Sequence, residues 1–140
     1  AYDNSILYTD WVLSSIIDGI DRADIVSSFV FVSDHGEHIR KDGAGHGGNC
    51  SPVKEEYHVP FIFWWSDEYE ALYPEKTYVA KSHTLSKING ECIFYSLCDM
   101  ADIQLDSIYA APSWSVFSSQ FEEHPRLILL PDGINSIAVD

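Results

Sequence analysis

The sequence predicts an α/β fold in which helices pack on a sheet. A helical pattern opens the chain, two uninterrupted runs of β-branched and aromatic residues follow, and a second helical pattern lies beyond them. Helices that alternate with strands of this kind are typical of an α/β sandwich. With 46% apolar and 14% aromatic residues, the 140-residue chain can build a packed core.

The first helix is predicted from Tyr2 to Ile20. Side chains recur at alternating steps of four and three residues, which defines one face. That face comprises Tyr2, Ile6, Thr9, Leu13, Ile16 and Ile20. Asp3 or Asn4 is a candidate N-cap, and Gly19 lies close to the predicted end.

The first strand is predicted over residues 25–32, because Phe29–Val32 is apolar without any polar alternation. Such a run is typical of a strand buried on both faces, as in a parallel sheet. Val59–Trp65 is a second run of this kind, with Pro60 near its start, where a missing N–H is tolerated. Two separated buried strands do not make a stable sheet alone, so we expect partner strands outside this chain or in its tail.

A loop, a short helix and an irregular stretch are predicted around the second strand. Residues 36–58 are predicted to form a loop with a glycine-rich part, Asp42–Asn49, and long loops of this kind are usually either functional or disordered. Ser66 is the predicted N-cap of a short helix over Asp67–Leu72. Residues 73–83 are expected to be irregular.

The second long helix is predicted over Asn89–Met100, with Ile93, Leu97 and Met100 on one face. The tail holds two predicted strands, Arg126–Leu130 and residues 134–139.

Charge and cysteine content exclude several classes of function. The chain carries 22 acidic and 8 basic residues, a net charge of −14, so it lacks the basic footprint that nucleic acid or an anionic membrane surface requires. Its apolar runs are far shorter than the roughly 20 residues that span a bilayer. Cys50, Cys92 and Cys98 are odd in number and form no CxxC pair, which predicts unpaired thiols.

Asp34 and His35 directly follow the first buried strand, where open α/β sheets bind ligands. An adjacent carboxylate and imidazole make a mixed oxygen and nitrogen set that zinc accepts at about 2.0–2.2 Å. Gly36 is expected to let the chain leave this turn with unusual dihedral angles. An ordinary surface turn is the alternative interpretation of the same triplet.

His46, in the glycine-rich loop, is a candidate second metal ligand or a donor to a phosphate oxygen, against the alternative of an exposed loop histidine. Further oxygen donors for such a site are Glu37, Asp42, Glu55 and Glu56. No ligand role is predicted for His38, His58, His83 or His124. The chain has neither a nucleophile elbow nor a Walker loop.

Several segments, taken in order, carry a resemblance to a known family. They are Tyr2–Asp10, Val32–Glu37, His46–Gly47, Val59–Trp64 and, in the tail, Ser115–Phe121 with Pro125–Arg126. In this order and spacing they resemble the phosphoethanolamine transferases, which are sulfatase-like members of the alkaline-phosphatase superfamily.

The resemblance implies an α/β/α sandwich of the alkaline-phosphatase and sulfatase type. Residues 1–140 would form the C-terminal portion of a single periplasmic catalytic domain of an inner-membrane protein. The implied reaction is the zinc-dependent transfer of phosphoethanolamine from phosphatidylethanolamine to lipid A or a core sugar of the bacterial envelope. The family pattern assigns catalytic zinc to Asp34 and His35, and substrate phosphate or a second zinc to His46.

The family's nucleophile is a threonine near the start of its catalytic domain, and no segment here matches it. Thr9, Thr77 and Thr84 lie in other contexts. Because the chain also opens without Met, we expect a piece of a longer protein that is inactive without the rest of its own catalytic domain. Two alternatives remain open: a soluble hydrolase of the sulfatase or phosphodiesterase type, and a non-catalytic binding module on the same fold.

Overall fold

The computed structural model describes residues 2–40, 43–45, 54–129 and 135–138. The helices are α1 (Tyr2–Asp21), α2 (Lys54–Tyr57), α3 (Asp67–Leu72), α4 (Pro74–Ser82) and α5 (Glu91–Met100), with a 3₁₀ turn at Pro112–Trp114. The strands are β1 (Ser28–Val32), β2 (His38–Arg40), β3 (Gly43–Gly45), β4 (Phe61–Trp65), β5 (Leu127–Leu129) and β6 (Ser136–Ala138). This mixed content matches the predicted α/β class. In the described ranges, no helix has the length and apolarity to cross a membrane.

The elements fall into two compact units. The first unit holds α1, nearly all of β1, β4 and α3. The second unit begins at Val32 and holds β2, β3, α2, nearly all of α4, α5 and the tail. The packing of each unit is described separately below.

The sheet of the first unit pairs β1 with β4. Ser66 N donates to Ser27 O at 3.0 Å, and Ser33 N donates to Pro60 O at 3.4 Å. These bonds join the start of β1 to the end of β4 and the end of β1 to the start of β4, as antiparallel strands require. The apolar runs were compared with those of parallel sheets, but β1 and β4 pair with each other and do so antiparallel. In the described part of the chain β1 has one neighbouring strand, and all five of its residues are half-buried.

Ser66 fastens α3 to the start of β1 and is only 2% exposed. Its hydroxyl accepts a hydrogen bond from Tyr69 N at 3.2 Å, which confirms the predicted N-cap. The same oxygen accepts from Ser27 N at 3.3 Å and donates to Ile25 O at 3.0 Å. One side chain thus serves both the helix start and the tertiary packing.

Helix α1 has the predicted extent, but its predicted face is not buried. None of its residues is buried, and Ile6 and Ile16 of that face are 53% and 41% exposed. Leu7 and Trp11, on another side of the helix, are also exposed. A helix with apolar side chains around much of its surface needs more cover than the first unit supplies.

The second unit contains a group of buried side chains that joins α5 to the tail, which we call the tail core. Its members are Cys92, Ser96 and Met100 of α5 with Ser115, Val116 and Phe117 of the tail. Val116 N donates to Ser96 Oγ at 3.1 Å, which ties the tail to the helix. Of the predicted face of α5, Met100 is buried as expected, whereas Leu97 is 39% exposed and the helix buries Cys92 and Ser96 instead.

Two further expectations for the second unit are wrong. Residues 73–83 are not irregular but form α4, which starts at Pro74, a favoured first helical position. Residues 36–58 are not one loop, because β2 and β3 form an antiparallel hairpin with His38 opposite Gly45, and α2 follows. The two predicted tail strands appear as the shorter antiparallel pair β5 and β6.

Candidate metal-binding turn

Residues Ser33–Glu37, which we call the metal turn, directly follow β1. Ser33 Oγ donates to His35 O at 2.8 Å, and His35 N donates to Asp34 Oδ1 at 3.0 Å. These local bonds fix the backbone of the turn, while the Asp34 and His35 side chains remain 87% and 40% exposed. The local bonds therefore order the first part of the turn and leave its Asp34 side chain accessible to solvent.

The imidazole of His35 has a defined tautomer. Its Nδ1 lies 3.0 Å from Gly36 O, and a carbonyl oxygen only accepts, so Nδ1 carries the proton. In the neutral ring the lone pair then resides on Nε2. Nε2 lies 3.7 Å from Asp34 Oδ2. A carboxylate oxygen and an imidazole nitrogen are both donor types that zinc accepts.

The donor set fits zinc in chemistry and in spacing. Two ligands of a tetrahedral zinc, with bonds of about 2.0–2.2 Å, lie about 3.4 Å apart. The 3.7 Å between Asp34 Oδ2 and His35 Nε2 is close to that value. Across residues 2–40, 43–45, 54–129 and 135–138, no cluster of three or more His, Cys, Asp or Glu side chains is placed to hold a metal. The turn therefore brings together two candidate donors, fewer than a tetrahedral zinc site needs.

Gly36 is required at its position for a reason that the sequence did not predict. Its N–H donates to Glu56 O at 2.8 Å, and an added Cβ would overlap the carbonyl oxygen of Glu55. Its φ does not lie in the left-handed region. The absence of a side chain matters here because α2 approaches the turn closely, not because the turn needs unusual dihedral angles.

The other candidate ligands are distributed unevenly. His46 and Asp42 lie outside the described residues. Glu37 follows Gly36 and is half-buried, whereas Glu55 is exposed. Glu56 is only 7% exposed. The described contacts of Glu55 and Glu56 with the turn come from backbone oxygens. The donor role of their side chains stays a prediction.

Two of the histidines without a predicted ligand role hold the tail in place. His83 Nδ1 donates to Val116 O at 2.8 Å, and its ring lies 4.8 Å from that of Phe121. The ring of His124 stacks on Trp114 at 3.5 Å. These rings act in packing and in backbone hydrogen bonding.

A carboxyl pair in the first unit was not singled out by the sequence. A side-chain hydrogen bond with Glu68, together with its charge, raises the pKa of Asp24. The pKa of Glu68 is lowered by its own backbone N–H and by the side chains of Ser66 and Asp24. The two carboxyls therefore interact at the start of α3, in contacts that belong to the fold of the first unit.

Known proteins resemble the chain in sequence. The family model described as Sulfatase matches residues 1–103. Phosphoethanolamine transferase EptC of Escherichia coli strain K12 is 30% identical over 142 residues, a match that covers 97% of this chain and 23% of that protein. Kdo(2)-lipid A phosphoethanolamine 7''-transferase of the same strain is 39% identical over 72 residues, covering 49% and 12%. The chain thus spans about a quarter of the first relative's length.

Solved structures match the fold. The C-terminal periplasmic domain of EptC from Escherichia coli superposes with a TM-score of 0.78 at 28% identity, over 91% of this chain and 35% of that chain. The same domain in complex with zinc gives a TM-score of 0.75. The chain therefore has the α/β sandwich fold of a sulfatase-like domain.

Proposed function

Because this chain belongs to the sulfatase family, we propose that it is one portion of the catalytic domain of a zinc-dependent phosphoethanolamine transferase. The parent enzyme moves phosphoethanolamine from phosphatidylethanolamine to lipid A or a core sugar of the bacterial envelope. The observation that carries this proposal is the metal turn, in which Asp34 and His35 present an oxygen and a nitrogen 3.7 Å apart. A relative named for transfer to Kdo(2)-lipid A supports the acceptor class.

In the parent enzyme, Asp34 and His35 hold zinc and His46 contacts the substrate phosphate or a second zinc. Bound zinc supplies Lewis-acid stabilisation of phosphoryl oxygens and lowers the pKa of a nucleophile. The residues of this chain bind the zinc and orient the side chains that hold it. Ser33 and Gly36 hold the turn, and the Nδ1–H of His35, donated to Gly36 O, fixes the orientation of the ring and leaves Nε2 as its metal-binding nitrogen.

The nucleophile comes from outside this chain. Thr77 is fully buried within α4, and the hydroxyl of Thr84 donates to Lys81 O at 2.6 Å. Thr9 lies on α1 in the first unit, where no metal donor was predicted. None of these contexts suits a threonine that attacks a phosphorus atom next to zinc, so the isolated chain is inactive.

The remainder of the catalytic domain covers apolar surface that the first unit leaves exposed. Tyr8 and Trp11 of α1 are 65% and 63% exposed, with their rings 5.8 Å apart. Strand β1 is half-buried along its length, although its sequence is that of a fully buried strand. Both features support the proposal that these residues form the C-terminal portion of a larger domain.

The parent enzyme is placed in the periplasm, attached to the inner membrane. The support for this location is the described periplasmic origin of the solved domain that the chain resembles. The net charge of −14 keeps the segment itself from binding anionic lipid surfaces.

The proposal is tested with the purified parent protein, phosphatidylethanolamine labelled in its headgroup, and lipid A in mixed micelles. We expect the label to move to lipid A. Release of the label into water at the same rate with and without lipid A would identify a hydrolase instead. Binding of lipid A with no turnover of any ester would identify a non-catalytic module.

A further inference from the structure

We propose that α2 positions the imidazole of His35 through the backbone of Gly36, an inference that rests on the proposed metal role of His35. A metal-binding histidine is normally oriented by a hydrogen bond to its second ring nitrogen. Here that bond goes to the carbonyl of the next residue, and the next residue is itself held by a helix.

Gly36 uses both of its backbone groups in this arrangement. Its carbonyl accepts from His35 Nδ1 at 3.0 Å, and its N–H donates to Glu56 O at 2.8 Å. The orientation of the imidazole ring therefore depends on the position of α2. A shift of α2 moves Gly36, and with it the direction of the Nε2 lone pair.

The contact between α2 and the turn leaves no space for adjustment. A Cβ at Gly36 would overlap the Glu55 carbonyl oxygen and lie 3.1 Å from the Glu55 carbonyl carbon. These are backbone atoms, so they cannot give way by a change of rotamer. Any side chain at position 36 therefore displaces either the turn or the helix.

The geometry of α2 depends on a bond that can be removed separately. His58 N donates to Lys54 O at 2.8 Å and closes the single turn of this helix. The His58 side chain is exposed. Proline at position 58 removes this donor and disfavours helical dihedral angles at Tyr57, without altering any residue of the metal turn.

The test compares two substitutions in the intact parent protein, each with a matched control. Gly36→Ala is paired with Gly90→Ala, since Gly90 has open space around it and a φ of −59°. His58→Pro is paired with His58→Ala, which retains the N–H. Zinc affinity is measured by competition with a chromophoric chelator, and the ligand geometry by the visible spectrum of the cobalt-substituted protein.

We expect Gly36→Ala and His58→Pro to weaken zinc binding by about 10- to 100-fold and to shift the cobalt bands in folded protein. Both control variants should match the unchanged protein. Folded Gly36→Ala and His58→Pro variants with unaltered zinc affinity and spectrum would overturn the inference. Unfolding of both variants would also overturn it, because α2 would then serve stability rather than positioning.

The same experiment separates this inference from the proposed function. If the unchanged parent protein binds no zinc, or if His35→Ala leaves its affinity intact, the metal role itself fails. If His35→Ala abolishes binding while Gly36→Ala and His58→Pro do not weaken it, only the positioning role of α2 fails.

Discussion

The metal turn and the tail core differ in how their polar side chains are exposed. In the turn, the Asp34 side chain is 87% exposed, and among the described residues its hydrogen bond is to the adjacent His35 N. In the core, Ser96 is fully buried and accepts from Val116 N, 20 residues away. Polar groups of the turn are available for chemistry, whereas those of the core satisfy buried backbone atoms. Substitutions in the two regions should therefore have separable effects.

The largest expected effect is on activity, at the turn. Asp34→Ala combined with His35→Ala should reduce labelled-headgroup transfer by the parent enzyme roughly 1,000-fold, because loss of Lewis-acid stabilisation costs several kcal/mol. The melting temperature of the zinc-free protein should stay nearly unchanged, since both side chains are solvent-exposed. Glu122→Ala, at an exposed site in the tail, is the control. Transfer within tenfold of the unchanged enzyme would contradict the assignment.

The next effect is on stability, in the tail core. Phe117 is 5% exposed, so Phe117→Ala should lower the free energy of unfolding by about 3–5 kcal/mol. Phe94→Ala on α5 is the matched control, because Phe94 is 56% exposed and should cost much less. Urea denaturation of the parent domain measures both. Equal losses for the two variants would remove the distinction between core and surface on which the comparison rests.

The smallest effect is on the pH dependence of the tail core. Burial raises the pKa of the Cys92 thiol from its ordinary value of 9.0. The folded pKa thus exceeds the unfolded one, so this contribution to stability is complete below about pH 9 and is lost as the pH rises through the folded pKa. Stability measured at about pH 8 and pH 10 should therefore fall less in Cys92→Ala. Equal falls would show that Cys92 ionisation does not contribute.

Several elements follow from sequence because their signals are local. Helix α1 follows from its periodicity and α3 from the capping residue Ser66, whose bond to Tyr69 is present. The buried runs located β1 and β4, but their antiparallel pairing depends on contacts between distant residues, which neither run encodes.

Hydrophobic periodicity does not reveal helix α4 or the buried side of α5. Helix α4 has one buried side chain, Thr77, so it lacks an apolar face that would reveal it. The buried side of α5 carries the small residues Cys92 and Ser96, whereas the prediction chose the larger Ile93 and Leu97. Contact with the tail determined which side is buried.

The candidate site was predictable in part. The type and spacing of Asp34 and His35 identified two donors, and the structure places them 3.7 Å apart. The contribution of α2 was not predictable, because it comes from the backbone carbonyls of Glu55 and Glu56 and leaves no side-chain pattern. The role of His46 stays a prediction.

The central claim is that Asp34 and His35 bind zinc in the parent protein. The most direct measurement is the zinc-to-protein ratio by mass spectrometry after purification and exhaustive dialysis, for the unchanged protein and for Asp34→Ala combined with His35→Ala. We predict at least one zinc per chain in the unchanged protein and at least one fewer in the double variant. An equal zinc content in the two folded proteins would contradict the claim.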